Sequence, residues 1–259
     1  MARPLSLVRA RLHLDYRVPM TLPLPRAVLT GLAATLGLAA SPIDGPSLTP
    51  VPRDQEGILP RQQLVLERAR TSPPAAVVFV GDSITQGWED GGRAAWDRTI
   101  APLGAVNLGV SGDRTEHVLW RLSQAPLTRL EPKVVVLLIG TNNLGHQHDD
   151  AQGTLAGMTA VARTIRTQVP EATLALMAVF PRGERINAMR GDLLQINQAL
   201  QAAFKDDPKV RWIDCGARFI KPDGAIDSAL MPDALHLSPA GYAIWAEALA
   251  PVLPTAARQ

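Results

Sequence analysis

Five short apolar runs constrain this chain more than anything else in it: Val77–Val80, Val106–Val110, Lys133–Ile139, Thr173–Phe180 and Val210–Cys215. Stretches with helical spacing separate most of them, over Asp113–Ser123, Gln152–Gln168 and Asn187–Phe204, and a last one, Pro239–Leu253, closes the series. Near-continuous apolar runs suit strands buried on both faces, as in a parallel sheet. Strands that alternate with helices imply βαβ units, with helices covering both sides of that sheet. The expected fold is therefore α/β: a single doubly wound domain over residues 75–254, built on a five-stranded parallel sheet, with a short tail at 255–259.

The flanks read differently. Proline recurs between residues 42 and 74 (Pro42, Pro46, Pro50, Pro52, Pro60) with little periodicity, which predicts a linker carrying one short helix around Gln62 to Arg70. Before it, Arg26 precedes the apolar run Ala27–Ala40, and Ser41-Pro42 follow. That run is too short to span a bilayer, and its small terminal residues suit signal cleavage near Ala39 or Ala40. A start at Met20 would shorten the basic region ahead of it. Residues 1–41 are thus expected to be an export signal, giving a secreted or periplasmic protein with no stable membrane insertion after cleavage. An uncleaved anchor is the alternative.

Charge narrows the function. The pI near 9.0 suggests nucleic acid, but the first 41 residues hold five Arg and a single acid, Asp15. Without them, 21 of the 26 basic and 23 of the 24 acidic residues remain, a net charge of −2. No basic block interleaved with aromatics is left to track a phosphate backbone, so no nucleic-acid partner is expected. Cys215 is the only cysteine, which excludes an internal disulfide, and its apolar strand makes it an inert core residue. The glycine turns at Gly81 and Gly112 lack the spacing of a dinucleotide fold or a P-loop.

Chemistry-bearing residues gather at strand ends, where open α/β sheets bind ligands. Ser83 follows the first run at once, after Gly81-Asp82, and is a candidate nucleophile that needs a base, an orienting acid and oxyanion donors. Asp82 would hold that turn through backbone hydrogen bonds. Asp113-x-x-Glu116 has capping-box spacing, so a helix should start at Asp113 and leave the Gly112 N–H free to face the crevice. Asn142, in Gly140-Thr-Asn-Asn143, offers an amide donor at the same edge. Asp233 and His236 lie three apart on a loop before the last helix. His117 reads as a packed or capping residue, His146–Asp150 as a polar loop rather than a metal cluster, and Arg114, Arg182 and Arg185 as solvated side chains, any of which could line a leaving-group site.

Gly81-Asp82-Ser83, Gly112, Gly140-Thr141-Asn142-Asn143 and Asp233-Ala-Leu-His236, in this order, resemble the four blocks of the SGNH (GDSL-type) hydrolase superfamily, with its flavodoxin-like fold. His117–Leu122, Gly140–Asn143 and Phe180–Glu184 are most similar to the catalytic subunits of intracellular platelet-activating-factor acetylhydrolases and their bacterial relatives. Two departures are Ile84, where Leu is common, and Asn143, where the third block usually has Asp. The signal-like segment departs from an intracellular enzyme, so the natural substrate does not carry over.

The resemblance implies a serine esterase. Ser83 would attack, His236 would move the proton, Asp233 would fix the histidine tautomer, and the Ser83 and Gly112 N–H groups with the Asn142 amide would form the oxyanion hole. No metal or cofactor is required. Ile84 and Leu235, next to nucleophile and base, and Thr141 beside Asn142 are expected to wall a short acyl pocket, so the substrate is a small-molecule, carbohydrate or lipid acyl ester, acetyl above all. Assembly as a homodimer follows from the resemblance alone. The alternatives are a lysophospholipase or thioesterase with a longer pocket, and a non-catalytic carbohydrate- or partner-binding module on the same fold.

Overall fold

Side chains alternate between the two faces of a strand, and the five strands use both faces for burial. The computed structural model of the protein describes residues 45–255. Its strands are β1 (Val77–Gly81), β2 (Ala105–Asn107), β3 (Val134–Leu138), β4 (Thr173–Met177) and β5 (Val210–Ile213), all parallel, in the order β2-β1-β3-β4-β5. Val78, Val80, Val135, Leu137, Leu174 and Leu176 enter one apolar core, packed under α1 (Leu59–Thr71), α3 (Thr115–Gln124), α5 (Ala151–Gln168) and α6 (Ala188–Phe204). Val77, Phe79, Val134, Val136, Ala175 and Met177 enter the other. That second core is aromatic. Trp88 and Trp245 are buried with Phe79 and Phe180, and their rings meet at centroid distances of 4.9–6.2 Å. Helical turns from Arg93 to Leu103 and the last helix, α7 (Pro239–Leu249), cover it.

The expected fold is therefore present. Strand order reverses between β1 and β3, so a crevice opens beyond their carboxyl ends. Two short helices begin there, α2 (Ser83–Gln86) after β1 and α4 (Thr141–Gly145) after β3. Gly140 makes the second turn. Its φ of +116° suits glycine, and a Cβ there would meet the Met158 sulfur at 2.5 Å.

Several boundaries depart from the sequence reading, three of them for a visible cause. β2 stops at Asn107 because that side chain bends the chain: its Oδ1 accepts from the Gly109 N–H (2.8 Å) and its Nδ2 donates to the Thr85 carbonyl (2.9 Å). The backbone past it still pairs with β1, through Leu108 N to Phe79 O and Val110 N to Gly81 O. α7 ends at Leu249, two residues before Pro251, which cannot donate to a continuing helix. α3 starts at Thr115 rather than Asp113. Asp113 is fully buried and its carboxylate pairs with Arg121, so it cannot cap; the His117 ring accepts from the Arg114 N–H instead (3.0 Å).

The larger correction concerns residues 42–74. From Gly45 onward this is no linker but a strap on the domain. Ser47 is buried; its hydroxyl accepts from Asn143 Nδ2 (2.8 Å) and its carbonyl from the Thr115 hydroxyl (2.8 Å). Arg53 exchanges two hydrogen bonds of 3.0 Å with Gln62 on α1 and places its guanidinium 3.6 Å from Asp113. A proline-rich sequence without periodicity docks here through polar side chains, which periodicity does not register. The signal-like segment lies outside the described residues. Among those described, no helix is long and apolar enough to cross a membrane.

Candidate active site

Ser83 is the first residue of α2, and Asp82 caps that helix by accepting from the Ile84 N–H (3.0 Å), as its place after Gly81 suggested. The cap faces the serine across the crevice to the loop before α7. His236 Nε2 lies 3.0 Å from Ser83 Oγ, and His236 Nδ1 lies 2.6 Å from Asp233 Oδ2. The other Asp233 oxygen accepts from the His236 and Leu235 N–H groups, at 2.7 and 3.1 Å. Partial burial pushes the Asp233 carboxyl up, but these hydrogen bonds outweigh it and hold the carboxyl below the ordinary carboxylate value. An ionised carboxylate on Nδ1 leaves Nε2 free to accept the serine proton, so the three side chains can move a proton off an attacking hydroxyl.

The oxyanion donors expected from sequence sit on the neighbouring strand ends. Asn142 is buried and its Nδ2 donates to the Asp113 carbonyl (2.9 Å), which orients the amide and spends one of its two hydrogens. Gly112 has φ +73°, and neither its N–H nor that of Ser83 donates to a protein group among the described residues. Ser83 heads a helix, where the N–H has no intrahelical acceptor in any case. Asn143 does other work: it is fully buried, its Nδ2 donates to Ser47 and Thr115, and its Oδ1 accepts from the Thr115 N–H.

Of the three acyl-pocket residues, Ile84 must be corrected. It is 1% exposed and packs in the aromatic core, because the turn of α2 rotates the residue after Ser83 away from the crevice. Thr141 is buried, its hydroxyl and carbonyl both taken by Arg182, and Leu235 is half-buried against the same core. Arg182 also departs from expectation. Instead of being solvated, its guanidinium lies over Gly145, where any side chain would collide with it, and Nη1 donates to Thr141 O (2.9 Å) and Oγ1 (3.2 Å). Burial pulls its pKa down against the opposing charges of Asp82 and Asp233. Arg114 is likewise engaged, by Glu116, while Arg185 is exposed.

The other singled-out residues take structural places. His117 is buried and caps α3; burial, with the Arg114 charge beside it, drops its pKa to about 3. His148 lies 3.1 Å from Glu116. Cys215 is buried just past β5, and desolvation pushes its thiol up to about 12.

Sequence reasoning missed Gln86, Asp90 and Tyr242. Gln86 is three residues past Ser83, on the same side of α2, and its Oε1 accepts from the Ser111 N–H (2.8 Å). Tyr242 is buried and its hydroxyl donates to the Ile84 carbonyl (2.7 Å), tying α7 to α2. With Ser83 and His236 these residues line a cleft of about 270 Å³. The i, i+3 relation of Ser83 and Gln86 was the available signal.

Comparison with known proteins agrees with this geometry. The model of the GDSL-like lipase/acylhydrolase family matches residues 79–244. The chain is 37% identical over 166 residues to the human platelet-activating factor acetylhydrolase IB subunit alpha1, covering 64% of this chain and 70% of that protein. The fold is shared with a GDSL-like lipase from Bacteroides thetaiotaomicron (TM-score 0.63, 20% identity, 74% of this chain and 96% of that one). It is shared also with a catalytic mutant of an acetylxylan esterase from Geobacillus stearothermophilus (TM-score 0.54, 20% identity, 72% and 98%). With a strand-end serine hydrogen-bonded to a histidine that an aspartate holds, the chain belongs to the GDSL-like lipase/acylhydrolase family and is a carboxylic ester hydrolase.

Proposed function

We propose that the protein hydrolyses short-chain O-acyl esters, acetyl esters first, through an acyl-enzyme on Ser83. The observation that carries this reading is the unbroken chain Ser83 Oγ–His236 Nε2 (3.0 Å) and His236 Nδ1–Asp233 Oδ2 (2.6 Å). His236 takes the Ser83 proton as Oγ attacks the acyl carbon. The negative charge that develops on the carbonyl oxygen meets the Ser83 and Gly112 N–H groups and the second hydrogen of Asn142 Nδ2. The protonated His236 then gives its proton to the leaving alcohol, and water, activated by the same ring, releases the acid.

Packing supports a short acyl group. Thr141 is held by Arg182, and Leu235, between Asp233 and His236, leans on the core. A longer chain would have to displace packed side chains, at about 1–3 kcal/mol. The acetylhydrolase and acetylxylan esterase names among the similar proteins point to the same acyl group.

The experiment is turnover of 4-nitrophenyl acetate, butyrate and octanoate with single-turnover detection of an acetylated peptide containing Ser83. Expected are a steep fall in kcat/KM beyond butyrate and a label on Ser83 that Ser83→Ala removes. A label on Ser111 or Ser238, or an optimum at octanoate, would defeat the assignment. Export is proposed from the sequence of residues 20–41, and N-terminal sequencing of the exported protein tests it: an intact Ala27–Ala40 run would refute cleavage there.

A further inference from the structure

The cleft at Ser83 has a side. Its walls include Ser83, His236, Gln86, Asp90, Ser111 and Leu237, but not Asn142, Thr141 or Leu235. It is therefore walled by the nucleophile and base candidates, with Ser111 next to Gly112, and not by the Asn142 amide or the acyl-side residues. His236 Nε2, which must hand its proton to the leaving oxygen, borders it directly. A leaving oxygen protonated by Nε2 would carry its alcohol half into this cleft.

The polar groups there are uncommitted in a particular way. Gln86 spends its Oε1 on the Ser111 N–H, which fixes the amide and leaves both Nε2 hydrogens to donate. Asp90 is exposed, and no cation pairs with its carboxylate among the described residues. The Ser111 hydroxyl, also exposed, can donate or accept. The Arg53 guanidinium that touches Ser111 is already bound to its carbonyl (3.3 Å) and to Gln55 (2.7 Å), and stands 3.6 Å from Asp113. Tyr242 cannot donate, because its hydroxyl is taken by the Ile84 carbonyl. The cleft thus offers a carboxylate acceptor, an amide donor and a hydroxyl, and no lysine or arginine lines it.

We propose that this cleft is a subsite for an uncharged, polyhydroxylated alcohol, a sugar or polyol carrying the O-acyl group, and that it disfavours alcohols bearing a phosphate. The proposal rests on the esterase reading of Ser83 and His236. Hydroxyl groups donate to Asp90 and accept from Gln86 at once, since each is both donor and acceptor. A phosphate meets no cation there and is repelled by the Asp90 carboxylate. At about 270 Å³ the space is below the usual range for drug-sized ligands and suits one ring rather than a chain.

The test compares kcat/KM on matched acetates: monoacetylglycerol, monoacetylglycerol phosphate, 6-O-acetylglucose and 4-nitrophenyl acetate. The wild-type protein is expected to prefer monoacetylglycerol over its phosphate by about tenfold or more, the size of one unfavourable charge contact. In Asp90→Asn the ratio of 6-O-acetylglucose to 4-nitrophenyl acetate falls, chiefly through KM. In Asp90→Lys the preference between the glycerol pair reverses. Asp90 is exposed, so neither variant threatens the fold. Equal or better use of the phosphate by wild type, or an Asp90→Lys preference unchanged from wild type, overturns the subsite while leaving the esterase intact. Failure of wild type to turn over 4-nitrophenyl acetate overturns the esterase reading itself, and the subsite with it.

Discussion

Arg182 holds Thr141 by two oxygens at once, the carbonyl at 2.9 Å and the hydroxyl at 3.2 Å, and Thr141 immediately precedes the Asn142 amide. The next residue along, Gly183, donates its N–H to the Ala234 carbonyl (2.8 Å), inside the loop that carries Asp233 and His236. One short segment after β4 therefore clips together the strand end that carries Asn142 and the loop that carries Asp233 and His236. Arg182 makes no hydrogen bond to Ser83 or His236; in the proposed mechanism its part is to position them.

Arg182→Met is expected to lower kcat by about tenfold or more with KM within about twofold, since small misplacements of a donor are felt in the transition state. Arg182→Lys, which keeps the charge but not the fork, should recover part of the loss. A rise in KM at unchanged kcat would make Arg182 a substrate contact instead. Steady-state kinetics on 4-nitrophenyl acetate decide it.

The two asparagines after β3 should separate cleanly. Asn142→Ala removes an oxyanion donor and should cost about 10²–10³ in kcat with little change in KM. Asn143→Ala strips buried partners from Ser47 and Thr115, and should show as about 1–3 kcal/mol of lost stability in urea unfolding. Equal kcat losses in the two variants, with no difference in stability, would shift the donor role by one residue.

Chain-length selectivity should respond to Leu235, the half-buried member of the acyl-side residues. Leu235→Ala opens space next to His236 and is expected to raise the octanoate-to-acetate ratio of kcat/KM by about fivefold or more. Ile84→Val, a change inside the core, should leave that ratio alone and cost about 0.5–1.5 kcal/mol of stability. An unchanged ratio in Leu235→Ala would remove it from the acyl side.

Asp82 makes stability depend on pH. Burial, with the Asp113 charge adding to it, raises its carboxyl to about 7 despite the hydrogen bond from Ile84 N–H. The folded protein then keeps a proton that the unfolded chain has released, so stability is greatest below the unfolded value near 4 and is lost as pH rises towards about 7. Asp113, raised to about 6 mainly by burial, acts in the same direction. Asp82→Asn keeps an acceptor for the Ile84 N–H but has no proton to lose. Urea midpoints measured from pH 4 to 8 should decline less steeply in Asp82→Asn than in wild type; parallel curves would show that Asp82 does not titrate in this window.

Much of this was legible in the chain because the signals were local or periodic. The strand runs predicted all five strands and put Ser83 and Asn142 at strand ends; the order that sets β1 beside β3 came only with the structure. Asp233 and His236 were legible as a pair three residues apart on one loop. What escaped was long-range and polar. Nothing near Arg182 in sequence says that it reaches Thr141, 41 residues earlier. Nothing near Ser47 announces Asn143, 96 residues later. Ile84 adjoins Ser83 in sequence yet lies in the core, because one step along a helix turns a side chain by about 100°.

The strap from Gly45 to Arg53 also decides where this enzyme can be cut. A polypeptide begun at Ala75, as proline content would advise, keeps every strand and Ser83, Asp233 and His236. Yet water would enter at Asn143 and Thr115, and Asp113 would lose one of its two guanidinium neighbours. These residues share the loop and the helix start that carry Gly112 and Asn142, so trimming or proteolysis within the strap would loosen the Gly112 and Asn142 side of the crevice before it touched Ser83. Cleavage ahead of Ser47 leaves these contacts whole, whereas cleavage between Ser47 and Arg53 is expected to lower activity through them.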